Sequence, residues 1–127
     1  MKNATKNLVL ILEDDELVRF IVKNYLTESG FEVQESADAL SAIQIMEKKV
    51  CDVAIVDINI PKMSGEDFIV NAKKICPNIQ FIIHTGASDY KVSSNLKEIG
   101  ISQDDILVKP VEDMNIFNTT IKRLVQD

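Results

Sequence analysis

The stretch LVLILEDDE, residues 8–16, sets an apolar run directly against four consecutive acids. A short unbroken apolar run is typical of a strand buried on both faces, the kind found in parallel sheets. Like charges held side by side repel, so acids at the end of such a strand need a compensating partner. Which of Glu13, Asp14, Asp15 and Glu16 face that partner depends on what else the fold brings to the same rim.

The pattern recurs along the chain. VAIVDI (residues 53–58) and IQFIIH (79–84) are further apolar runs, while FEVQE (31–35) and DILVK (105–109) are weaker, as outer strands tend to be. Between them lie helical stripes. Leu17, Val18, Ile21, Val22, Tyr25 and Leu26 form the first, closed by Gly30 as a C-terminal cap. Leu40, Ile43 and Met46 form the second. Phe68, Ile69, Ala72 and Ile75 form the third, stopped near Pro77. Val92, Leu96 and Ile99 suggest a fourth that ends at Gly100. Met114, Phe117, Ile121, Leu124 and Val125 make the last, with Glu112 and Asp113 suited to its positive N-terminal end. Strands alternating with helices predict an α/β fold, a doubly wound parallel sheet with helices on both faces. Right-handed crossovers bring the first and third strands together in the middle, and ligands bind beyond the C-terminal ends of the strands.

Composition fits this plan. The chain has 127 residues of which 46% are hydrophobic, enough for one domain with its own core, and residues 1–127 read as one unit with a core over about 7–126. A formal net charge of -6 argues against a nucleic-acid-binding surface, which needs a basic patch. The polar N-terminus MKNATKN precedes too short an apolar run for a signal sequence or membrane span, which points to a cytoplasmic protein without membrane contact. Glycosylation-type patterns at Asn3 and Asn118 carry no weight without an export signal. Cys51 and Cys76 show no metal spacing and read as free thiols in a reducing compartment.

The strand ends collect chemistry. The first strand ends at Glu13 and Asp14, the third at Asp57, the fourth at Thr85 and the fifth at Lys109. Carboxylates so gathered push up one another's pKa, and a hard divalent cation such as Mg2+ removes the conflict through oxygen ligands. Lys109 supplies a second cation on the far side of Asp57. A metal and a lysine flanking one carboxylate suit an added phosphoryl group, with Thr85 as a hydroxyl donor.

These motifs, EDDELVR after the first strand, VDINIPKMSG around Asp57, HTG at Thr85 and LVKP at Lys109, closely resemble those of the receiver domain of two-component response regulators over essentially the whole length. The resemblance implies a flavodoxin-like sheet of order 2-1-3-4-5. In that family a basic residue commonly follows the second acid of the metal pair by five positions, and Arg19 then assigns the pair to Glu13 and Asp14. By the same resemblance Asp14 binds Mg2+ directly, with Mn2+ able to substitute, and Glu13 acts through water. Asp57 is the phosphoacceptor and a ligand, and the backbone carbonyl of Asn59 is the third protein ligand. Lys109 pairs with the phosphate and Thr85 moves to bind it. Asp15 lies at the mouth and Glu16 in the first turn of helix one. Pro61 shapes the loop, Gly65 gives it backbone freedom, and Lys109–Pro110 is a junction the family usually keeps cis. One departure stands out: Ile106 occupies a position where family members often carry an aromatic whose rotation reports phosphorylation. Ala87 is small and non-acidic, which leaves Asn59 as the main side chain near the hydrolytic water and implies slow to moderate loss of phosphate.

The resemblance implies a switch rather than a turnover enzyme. It takes a phosphoryl group from a sensor histidine kinase or histidine phosphotransfer protein, and passes the signal to a protein partner through the face of helix four, strand five and helix five. No output domain is expected. An alternative is a receiver that docks without phosphorylation. Another is a phosphatase of the haloacid dehalogenase type, but that chemistry wants a general acid two residues after the nucleophile, where this chain has Asn59. Plainer readings cover the rest. His84 reads as a structural or rim residue, Met46, Met63 and Met114 as packing, and Asp104 and Asp105 as a solvated turn before strand five.

Overall fold

The computed structural model describes residues 6–126, and Asn3, the first of the two glycosylation-type patterns, lies outside them. Strand β1 (Leu8–Leu12) and helix α1 (Glu16–Glu28) lead into β2 (Glu32–Ser36) and α2 (Ala39–Lys48). Then come β3 (Val53–Val56), α3 (Gly65–Ile75), β4 (Gln80–Thr85), α4 (Ser94–Glu98), β5 (Ile106–Val108) and α5 (Asn115–Val125), with a 3-10 turn at Gln103–Asp105 before β5. The strands form one five-stranded parallel sheet of order β2-β1-β3-β4-β5, as the resemblance implies. Among the described residues no helix is long and apolar enough to cross a membrane.

The apolar runs bury both faces of the sheet because successive side chains alternate. Leu8, Leu10 and Leu12 of β1 point into one core with Ala54, Val56, Phe81 and Ile83, covered by α2, α3 and α4. Val9 and Ile11 point into the other with Val53, Ile55 and Ile82, covered by α1 and α5. A fully buried side chain of this size contributes roughly 1.5–3 kcal/mol.

The helical stripes are narrower than the sequence suggests. Of the first, Val22 and Leu26 are buried and Val18 and Tyr25 half-buried, whereas Leu17 is 66% and Ile21 47% exposed. Helix α2 buries the small face Ala39, Ala42 and Met46, which leaves Leu40 on the outside, and Ile75 of α3 is exposed as well. Helix α1 does end as expected: Gly30 adopts φ +101°, the left-handed conformation that glycine takes without strain. The fourth helix is a single short turn, Ser94–Glu98, because Ser93 accepts a hydrogen bond from the amide of Leu96 and so fixes the helix start after Val92.

The reading of Asp105 as solvated is overturned. Asp105 is 2% exposed and belongs to the 3-10 turn. Its carboxylate accepts from the Ser102 amide at 2.9 Å and from Arg123 of α5 at 2.7 Å, so strand β5 begins only at Ile106. His84 is a core residue, 5% exposed, edge-on to Phe117 with ring centroids 5.1 Å apart. Cys51 is buried and Cys76 half-buried, both free thiols. Burial pushes the Cys51 thiol up to about 11, which keeps it unreactive at neutral pH. Asn118 sits within α5, its side chain donating to the Tyr25 hydroxyl.

Candidate functional site

Strand β1 delivers Glu13 and Asp14 to the C-terminal rim, and β3 delivers Asp57, whose amide donates to the carbonyl of Leu12 at 3.0 Å. One oxygen from each of Glu13, Asp14 and Asp57 lies within 4.8 Å of the others. Glu13 and Asp57 are 3% and 6% exposed, while Asp14 faces solvent at the mouth. Asp15 is the N-cap of α1, accepting from the amides of Leu17 and Val18, so the acidic run divides into two site acids beside two helix-starting ones. Glu16 occupies the first turn, as expected.

The counterion to the buried acids is Lys109, which follows β5. Its ammonium lies 3.2 Å from Asp57 Oδ2 and 2.8 Å from Glu13 Oε1. The contact with Asp57 was expected and that with Glu13 was not. The ammonium is paired with the buried Glu13 Oε1, which has no other partner among the described residues. Burial raises the pKa of Glu13, and the negative charge of Asp57 adds to that, while Lys109 and the Asp15 amide oppose it. Burial on its own lowers the pKa of Lys109, but Glu13 and Asp57 outweigh it and the net shift is upward. The lysine is therefore charged at neutral pH.

Arg19 plays a part the sequence did not reveal. Its guanidinium donates to the backbone carbonyl of Glu13 at 2.8 Å and to Glu35 at 3.0 Å, tying α1 to the end of β1. Lys23 joins it on Glu35 at 2.6 Å; mainly through this contact, the pKa of that carboxyl is lowered. The cation therefore anchors backbone beside the acids rather than offsetting their charge.

The loop after Asp57 is built around a close approach. The Asn59 amide donates to Asp57 Oδ1 at 3.0 Å. The turn at Pro61 has Lys62 at φ 73°, a left-handed residue that is not glycine. Gly65 is required by a close approach: a Cβ there would lie 2.6 Å from the Asp57 carbonyl oxygen and 2.7 Å from Ile58 Cα. Thr85 is fully buried at the end of β4, its hydroxyl accepting from the Ala87 amide at 3.1 Å, and its carbonyl accepts from the Lys109 amide at 2.7 Å. Lys109–Pro110 is cis, as expected. Ile106 is half-buried against the core on the side of α3 and α4. Three carboxylates that bring hard oxygen donors within 4.8 Å of one another fit a small divalent cation.

Comparison with known proteins agrees with this geometry. Residues 9–121 match the family described as the response regulator receiver domain. The chain is 28% identical over 115 residues to chemotaxis protein CheY of Thermotoga maritima, covering 90% of this chain and 94% of that one. It is 35% identical over 103 residues to a cyclic di-GMP phosphodiesterase of the same organism, covering 81% of this chain but 27% of that longer protein. Among solved structures, a response regulator receiver domain protein from Clostridium thermocellum superposes with a TM-score of 0.80 at 27% identity, covering 94% of each chain. The chain belongs to the response regulator receiver domain family.

Proposed function

We propose that the chain is a phosphoacceptor switch, with Asp57 taking a phosphoryl group from a phosphohistidine on a sensor kinase or phosphotransfer protein in the cytoplasm. The observation that carries this reading is the position of Asp57: buried at a strand end beside two further acids, with the Lys109 ammonium at 3.2 Å and bridging it to Glu13. A carboxylate oxygen of Asp57 attacks phosphorus as the P–N bond to imidazole breaks. The departing nitrogen keeps the bonding pair and takes a proton from solvent. Lys109 pairs with the incoming phosphoryl oxygens, and the Thr85 hydroxyl, now only accepting from Ala87, is free to donate to them. Held by Asp14, Asp57 and the Asn59 carbonyl, with Glu13 through water, Mg2+ (or Mn2+) would neutralise charge on the transferring group. The output passes through the face of α4, β5 and α5, where Val108 and Ile116 are exposed apolar side chains.

Intact-mass measurement after incubation with acetyl phosphate and Mg2+ tests the reading. The wild type gains one phosphoryl group and Asp57→Asn gains none; equal labelling of the two, or none of either, refutes it.

A further inference from the structure

The loop of residues 86–93 joins Thr85 to α4 without helix or strand of its own, yet it is pinned from two sides. On one side, the Tyr90 hydroxyl donates to Glu66 Oε2 of α3 at 2.6 Å. On the other, the Tyr90 carbonyl accepts from Gln103 Nε2 at 3.2 Å, and Gln103 Oε1 accepts from the Val92 amide at 3.5 Å. The Tyr90 amide donates to the Ala87 carbonyl, and the Ala87 amide donates to the Thr85 hydroxyl, so one tight turn links the two side chains. Glu66 in turn follows Gly65, whose backbone lies against Asp57 and Ile58. A continuous chain of contacts results. It runs from the Asp57 backbone through the first turn of α3 to Tyr90, and on through Ala87 to Thr85.

A hydrogen bond from a phenol to a carboxylate is of the stronger, charge-assisted kind, and at 2.6 Å it is short. Burial and the Glu66 carboxylate both push the phenol's pKa up, so the proton stays on tyrosine and the bond persists across ordinary pH. Any displacement of Thr85 towards Asp57 pulls on the Ala87 turn and hence on Tyr90. Ile106 is aliphatic and has no hydroxyl with which to hold or release anything, whereas Tyr90 has both a ring packed on the core and a polar tip.

Building on the phosphoacceptor reading, we infer that the Tyr90–Glu66 hydrogen bond is a latch: it holds the 86–93 loop against α3 in the unmodified chain and opens when Thr85 moves to a phosphoryl group on Asp57. The latch favours the unmodified conformation, so removing it lowers the cost of reaching the other.

The test uses Tyr90→Phe, which keeps the ring in the core and deletes the donor. Amide hydrogen exchange of the 86–93 loop is measured without any phosphodonor, and affinity for beryllofluoride, a phosphoryl mimic, is measured by NMR titration with Mg2+ present. The variant exchanges about tenfold faster in the loop and binds beryllofluoride about three- to tenfold more tightly. Glu66→Gln, which keeps an acceptor without the charge, moves both in the same direction by less. Tyr25→Phe on α1 moves neither. Unchanged loop exchange in Tyr90→Phe refutes the latch while leaving the phosphoacceptor reading intact. Faster exchange with unchanged or weaker beryllofluoride binding makes the contact merely structural and also refutes it. A wild type that ignores beryllofluoride altogether removes the phosphoacceptor reading, and the coupling goes with it.

Discussion

Replacing Gly65 by alanine sets two effects of opposite sign against each other at the end of the phosphoacceptor strand. Helix propensity favours alanine over glycine by about 1 kcal/mol in the interior of an exposed helix, and less at the first position, where Gly65 sits. Sterics oppose it. The added Cβ meets the Asp57 carbonyl oxygen at 2.6 Å and Ile58 Cα at 2.7 Å, where unstrained contacts between heavy atoms start near ~3.5 Å. Both obstacles are backbone, so no side chain can rotate away, and α3 has to slide from the sheet or the Asp57 turn has to open. Overpacking of this kind costs about 1–3 kcal/mol, so a net loss of about 1–2 kcal/mol is expected. With a urea dependence of roughly 2 kcal/mol/M, the unfolding midpoint falls by about 0.5–1 M. Far-UV circular dichroism suits the measurement, since the chain has no tryptophan to report by fluorescence. The Asn59 amide, which donates to Asp57 Oδ1, should shift in the NMR spectrum at the same time. A midpoint equal to or above that of the wild type would mean that α3 moves freely against the strand end, and the close-approach argument for Gly65 fails.

Two further outcomes follow from buried charge. Arg123→Met removes the cation from a carboxylate that is 2% exposed; with Arg123 itself half-exposed and the Ser102 amide still bonded to Asp105, the loss should be about 1–2 kcal/mol in urea unfolding, and an unchanged midpoint would refute the role of the pair. His84 is held neutral mainly by burial and secondarily by the nearby Lys109 charge, its pKa lowered from 6.5 to about 4. The unfolded chain therefore binds its proton first, so the His84 contribution is intact above pH 6.5 and is lost as pH falls from there towards 4, by about 3 kcal/mol in all. His84→Gln should flatten that part of the stability-against-pH curve, and an identical slope in the variant would count against a buried neutral imidazole.

Much of this was legible in the sequence, for reasons that differ from element to element. The apolar runs at β1, β3 and β4 gave the parallel sheet because strands buried on both faces leave no room for polar residues. The rim acids, Thr85 and Lys109 were findable because each directly follows a readable strand. The helices were less transparent. Leu17, Ile21 and Leu40 satisfy a helical stripe, yet the faces that dock are formed by Val22 and Leu26 and by alanines, because small residues let a helix approach the sheet closely. Partners far apart in sequence left no local trace. Lys109 bridging Glu13, Arg123 reaching Asp105 and Tyr90 reaching Glu66 depend on crossings between elements that periodicity does not locate. Gly65 was legible as the glycine of the loop before α3, but the close approach of Asp57 and Ile58 that requires it depends on how α3 meets the strand end.

The alternation along β4 has a mechanical consequence. Phe81 and Ile83 face the core beneath α3 and α4, while Ile82 faces the core beneath α1 and α5, and His84 leans on Phe117 in that second half. Thr85, next in the alternation, falls on the α3 and α4 side. The sheet thus acts as a bulkhead between two compartments. A displacement of Thr85 would therefore act first on the compartment that holds Tyr90, Ile106 and α4. The adjacent imidazole points the other way, against Phe117 of α5, so that neighbouring residues at one strand end address opposite walls of the molecule.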